Sequence, residues 1–120
     1  MSSHAAASRC LYGAASGTVD AVLSDIDGAS ITPKLKALLN IAGKVQVLGT
    51  EVKESDIKEA RDAGANDREI HDAVLIAATF SMFNRYVDGL ASFTPRDPKV
   101  YEEMGKRMAA GYNFPSAPKP

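Results

Sequence analysis

The sequence predicts an all-α fold. Apolar residues recur at helical spacing between residues that start and stop helices, whereas no alternating strand pattern continues beyond a few residues. Of the 120 residues, 45% are hydrophobic, which is enough for one domain with a modest core. We therefore expect a single domain over residues 1–120, with its core in 33–91 and a C-terminal helix and proline-rich tail in 95–120.

The clearest helix start lies at Thr32 and Pro33. Thr32 is a preferred N-cap residue and proline is favoured at the first helical position, so a helix should begin here and end near Gly49. A shorter helix should follow from about Glu54 to Ala63, with Gly64 as its left-handed C-terminal cap. The first of these helices carries an apolar stripe for the core: Leu35, Leu38, Leu39, Ala42 and Val45.

The longest predicted helix runs from Asp67 to about Leu90. Asn66 is a good N-cap, and Glu69 stands three residues later, where a capping-box acid reaches back to the N-cap backbone. Between Ala73 and Phe83 the helix is apolar nearly all round, and such a helix must be covered on several sides. One small chain offers few helices for this, so we expect a homo-oligomer, as a dimer, trimer or hexamer.

The C-terminal part should contain one more helix. Asp97 and Pro98 are expected to open a peripheral helix that ends at Gly111, and residues 112–120 should form an extended tail.

The N-terminal third is interrupted by Gly13 and Gly17, whose spacing would let another helix backbone approach closely. Equally, a separate helix could restart at Thr18 and continue to about Ser24. The following turn, Asp25–Gly28, contains two aspartates but lacks the ligand spacing and final glutamate of a calcium loop, so we interpret it as a solvated turn.

Composition narrows the classes of partner. The 14 basic and 15 acidic residues give a net charge of −1, which offers no positive surface for nucleic acid or an anionic membrane. The apolar run at 73–83 is shorter than the roughly 20 residues that span a bilayer. A single cysteine, Cys10, cannot form an internal disulfide, and the N-terminus lacks the pattern of a signal peptide. We expect a cytoplasmic protein.

Several segments of the helical core carry a family resemblance, through Ser55–Gly64, Asn66–Val74, Ala77–Phe80 and Asn84–Asp88. Together they resemble the carboxymuconolactone decarboxylase and alkylhydroperoxidase D superfamily, in its peroxidase-related branch, over roughly residues 33–91. The resemblance implies an oligomeric bundle of helices. It also implies a catalytic C-x-x-C pair, followed by a histidine, that precedes this core.

In the segment before the helical core, residues 10–17, the sequence fits this C-x-x-C and histidine motif only in part. Cys10 and Tyr12 match C-x-Y-C, but Gly13 stands at the second cysteine, and Ser16 or Gly17 stands where the histidine would be. Dithiol peroxidases need a second thiol to resolve the sulfenic acid formed on the first. A peroxidase with Cys10 alone would therefore use an external thiol.

Three functions follow from the resemblance. The first is reduction of a hydroperoxide by Cys10. The second is a thiol-independent enzyme for a small organic acid, like the lactone decarboxylases, with Arg85 as carboxylate anchor and Asn84 and Tyr12 at the substrate. The third is a non-catalytic oligomeric or ligand-binding module that retains the scaffold.

Each candidate residue also has a purely structural interpretation. Cys10 could be a small buried hydrophobic residue, since free cysteines are often buried. Asn84, Arg85 and Asp88 could form a hydrogen-bonded network at the end of a buried helix. We expect no cofactor and no metal, because His4, Cys10 and His71 lack the spacing of metal ligands.

Overall fold

The computed structural model describes residues 2–111, and within them the protein contains helices and no strand. The predicted all-α class is therefore confirmed. The α-helices are α1 (Ser2–Tyr12), α2 (Gly17–Ser24), α3 (Pro33–Val47), α4 (Glu54–Asp62), α5 (Asp67–Gly89) and α6 (Pro98–Ala109), and short 3-10 turns occupy Gly13–Ala15 and Gly49–Glu51. No helix of this range combines the length and hydrophobicity needed to cross a bilayer.

The chain divides into two compact units. The described part of the first contains residues 2–24 and 94–111, which form α1, α2 and α6. The second contains Asp25–Phe93, which form α3, α4 and α5.

In the first unit, α6 is the main packing partner of α1, a contact that was not expected from the sequence. Gly105 is buried against α1, where a Cβ atom added to it would lie 2.6 Å from the Ala6 Cβ and 2.8 Å from the Ala7 nitrogen. The missing side chain therefore lets the two backbones touch. Gly13 and Gly17, the expected close-approach positions, have no such neighbour among the described residues.

In the second unit, local signals set the helix boundaries as predicted. The Thr32 hydroxyl accepts a hydrogen bond from the Leu35 N–H at 3.2 Å, directly before Pro33. Gly64 has φ +93° after α4, a left-handed conformation that favours glycine. The Asn66 side chain accepts from the Glu69 N–H at 2.8 Å, while the Glu69 carboxylate accepts from the Asn66 N–H at 2.9 Å. This reciprocal pair is the predicted capping box.

The core of the second unit is built largely from small residues, with Ile41 as its one fully buried large side chain among the described residues. Small side chains at helix contacts let α3 approach α4 and α5 closely, and the half-buried Leu38, Val45 and Val74 cover the cluster. The buried members are Ala37, Ile41, Ala60, Ala65 and Ile70.

Only one side of α5 is covered by this core. Ile70 and Ser81 are buried, and the Ser81 hydroxyl is satisfied by the Ala77 carbonyl at 2.9 Å. From Met82 to Gly89 every residue is exposed. The apolar middle of α5, expected to be surrounded on several sides, is thus covered on one side by the core of its own unit.

Candidate functional site

Cys10 lies in the last turn of α1, and its side chain is exposed. The helix ends two residues later because Gly13 adopts φ +53° and opens the following 3-10 turn. Leu11 and Tyr12 beside it are also exposed. The alternative interpretation of Cys10 as a buried core residue is therefore wrong for the chain as described, and a dissolved oxidant has access to the thiol.

The charged side chain next to Cys10 already has a partner. The Arg9 guanidinium donates to the Asp20 carboxylate from Nε at 2.9 Å and from Nη2 at 2.6 Å, which ties α1 to α2. This pair holds the guanidinium toward α2. Cys10 also stands at the C-terminal end of α1, whereas helix N-termini are the ends that stabilise anions.

His4 belongs to the same helix as Cys10 but points to a different side. Six residues of α-helix correspond to a rise of about 9 Å and a rotation of about 240°. An imidazole at position 4 therefore does not stand over the Cys10 thiol as an activating histidine would.

The segment after Cys10 is a connecting turn. Gly13 accepts a hydrogen bond from the Ser16 N–H at 3.0 Å, and Ser16 accepts one from the Val19 N–H at 3.0 Å, which leads the chain into α2. The positions of the second cysteine and the histidine thus serve the turn between two helices. Neither Gly13 nor Gly17 can supply a redox or proton-transfer group.

Asn84 and Arg85 lie in the second unit, on the last two turns of α5, whereas Cys10 and Tyr12 belong to the first unit. Asn84, Arg85 and Asp88 are exposed. Within residues 2–111 no hydrogen bond or ion pair between side chains involves them. The expected structural network among these three residues is therefore not formed within residues 2–111.

An open groove of about 670 Å³ lies between α3 and α4 in the second unit. On its wall the Lys44 Nζ donates to the Asp56 Oδ1 at 2.7 Å, and only 16% of the Asp56 side chain is exposed. The hydrogen bond from Lys44, together with one from the Lys53 N–H at 2.8 Å, lowers the pKa of the Asp56 carboxyl. Asp56, the third residue of α4, is therefore held ionised.

Lys34 and Glu69 form a similar link between α3 and α5. The Lys34 Nζ lies 2.8 Å from the Glu69 Oε1, and this hydrogen bond, with the one from the Asn66 N–H, lowers the pKa of Glu69. The sequence signalled the capping role of Glu69 but not its partner Lys34 or the pair of Lys44 with Asp56, because both pairs depend on how the helices pack.

The aspartate turn is organised by its own backbone. The Asp25 carboxylate accepts a hydrogen bond from the Asp27 N–H at 3.1 Å, and the same carboxylate lies where a Cβ on Gly28 would stand. Across residues 2–111 no cluster of three or more His, Cys, Asp or Glu side chains is arranged to hold a metal ion.

The chain matches no family model, and comparisons with curated proteins and with solved structures give no match either. The resemblance to the alkylhydroperoxidase D superfamily therefore rests on the segments of α4 and α5 given above and on Cys10 and Tyr12.

Proposed function

We propose that the protein is a peroxidase-related member of the alkylhydroperoxidase D superfamily that reduces hydroperoxides through a single cysteine, Cys10. The observation that carries the proposal is the position of this thiol, exposed in the last turn of α1. A core residue would be shielded from solvent, whereas an oxidant and a reducing thiol can both reach Cys10.

The proposed reaction has two stages. The Cys10 thiolate attacks one oxygen of the peroxide, the O–O bond breaks, the alcohol leaves with a proton from solvent, and Cys10 becomes a sulfenic acid. An external thiol then condenses with the sulfenic acid, releasing water and forming a mixed disulfide. A second external thiol attacks that disulfide, which returns Cys10 and releases an oxidised disulfide product.

Turnover should be slow. Gly13 cannot resolve the sulfenic acid, and the Arg9 guanidinium is already held by Asp20. The external thiol must therefore carry out both reductive steps, and His4, on another side of α1, is not positioned to accept the Cys10 proton.

A second candidate function is the non-catalytic, self-associating module. It is favoured by the apolar side chains that α5 exposes, among them Ile76 and Phe83. In that case the helical scaffold is retained without the thiol chemistry.

A peroxide-consumption assay separates these functions. The wild-type chain, Cys10→Ser and the control Ser16→Ala are each given an organic hydroperoxide and dithiothreitol, and loss of peroxide is measured. We expect consumption above background for the wild type and for Ser16→Ala, and none for Cys10→Ser. Equal rates for the wild type and Cys10→Ser would contradict the peroxidase proposal and favour the non-catalytic module.

A further inference from the structure

Helix α5 carries a second apolar face, which lies away from the core of its unit. We call it the outer face of α5, and it consists of Leu75, Ile76, Met82, Phe83, Tyr86, Val87 and Leu90, the last directly after the helix. Each of these side chains is more than one-third exposed, with 57% for Ile76, 53% for Phe83 and 61% for Leu90. Ordinary surface positions of a helix are polar, so such a face needs an explanation.

The outer face follows the spacing of a helix–helix contact. Ile76, Phe83, Val87 and Leu90 are separated by seven, four and three residues, which is the spacing that keeps one stripe against a partner helix. The stripe that contacts the core of the unit, with Ile70 and Val74, lies on the opposite side of the helix, as does the buried Ser81.

The outer face contains no charged residue. Apart from the Tyr86 hydroxyl, the polar side chain inside it is that of Thr79, whose hydroxyl donates to the Leu75 carbonyl at 2.8 Å within the same helix. The hydroxyl is thereby satisfied without water. Two copies of this face can meet without burying an unpaired charge or bringing like charges together.

The area of the outer face is close to what a stable interface requires. The exposed parts of its side chains amount to roughly 700 Å², which exceeds the about 300–600 Å² of the largest apolar patch on a typical monomer. A standard protein–protein interface takes about 800 Å² from each partner.

We propose that the outer face of α5 binds the same face of a second copy of this chain, across a two-fold axis. An interface of this kind uses one patch twice, so the patch must complement itself, and an uncharged, apolar helix face does so. The contact is independent of the thiol chemistry proposed for Cys10, because it needs neither the cysteine nor the first unit.

Sedimentation velocity of the full chain tests the proposal. We expect the wild type to sediment as an assembly with an even number of chains, at least twice the 12.7 kDa of one chain, at micromolar concentration. Ile76→Lys should lower the mass by breaking the outer-face contact while circular dichroism shows unchanged helix content. Val47→Lys is the matched control, because Val47 is a β-branched helix residue of the same unit with 75% exposure outside the outer face, and it should leave the assembly intact.

Cross-linking tests whether the two copies meet through the same face. In a Cys10→Ser background, Phe83→Cys places a thiol at the middle of the outer face, and Val47→Cys places one elsewhere on the unit. A short bis-maleimide should join two chains for Phe83→Cys and not for Val47→Cys. A monomeric or trimeric wild type, an assembly that Ile76→Lys leaves unchanged, or equal cross-linking of both cysteine variants would overturn the proposal. Loss of peroxide reduction alone would not contradict the proposed contact between the outer faces of α5.

Discussion

Gly105→Ala should destabilise the first unit, although alanine is normally the better helix residue. A Cβ at position 105 would lie 2.6 Å from the Ala6 Cβ and 2.7 Å from the Ala6 carbonyl carbon, distances that real Cβ atoms do not show. Since the obstacle includes the backbone of α1, no side-chain rotation can remove it. The two helices must move apart to accept the methyl group.

The magnitude follows from two opposing effects. Replacing glycine by alanine inside a helix gains about 1 kcal/mol of propensity. Overpacking a close helix contact costs about 1–3 kcal/mol. Because the clash involves backbone atoms, we expect a cost in the upper part of that range, about 2–3 kcal/mol, which leaves a net loss of about 1–2 kcal/mol for Gly105→Ala.

Gly43→Ala provides the matched control. Gly43 lies within α3, and a Cβ there would meet no heavy atom within 4 Å among the described residues. With no clash, the same substitution should stabilise the second unit by about 0.5–1 kcal/mol. Urea unfolding followed by circular dichroism measures both free energies of unfolding. If Gly105→Ala stabilised the protein as much as Gly43→Ala does, the close contact of α1 with α6 would be refuted.

Three further predictions concern the second unit. Asn66→Ala should lower the free energy of unfolding by about 1 kcal/mol in urea, because Glu69 loses the partner of its N–H. Gly64→Val should cost about 1 kcal/mol or more, because φ +93° strains a β-branched residue, and an unchanged urea midpoint would contradict this boundary. The hydrogen bond from Lys34 is the main reason that the pKa of Glu69 is lowered. The ionised Glu69 therefore stabilises the fold at pH values above 4.5, the ordinary pKa of glutamate, and this stabilisation is lost as the pH falls through the lower pKa of the folded state. Glu69→Gln should therefore weaken the acid dependence of stability, whereas an identical pH profile would argue against the link to Lys34.

The features that the sequence predicted correctly are those set by neighbours along the chain. The N-cap at Thr32, the glycine cap at Gly64 and the capping box of Asn66 with Glu69 each involve residues within a few positions of one another. Their geometry therefore follows from local backbone chemistry. The long helix α5 could be predicted for the same reason.

The features that the sequence did not reveal depend on contacts between distant segments. From the sequence alone, a glycine at position 105 would be expected only to weaken α6. Its packing role is apparent only from its contact with α1. Gly13 and Gly17 share the small-residue pattern but have no close neighbour among the described residues. Cys10 could equally be buried or exposed on sequence grounds, because burial is decided by what packs against α1.

The thiol chemistry of Cys10 is tested most directly by the intact mass of the protein after one equivalent of hydroperoxide, without added thiol. Proteolytic mapping locates any added oxygen, and Cys10→Ser is the control. We expect the wild type to gain one oxygen atom at Cys10, as a sulfenic acid that a trapping reagent captures, or to form a disulfide between two chains. A wild-type Cys10 that stays unmodified while an exposed reference thiol oxidises under the same conditions would contradict the proposed function.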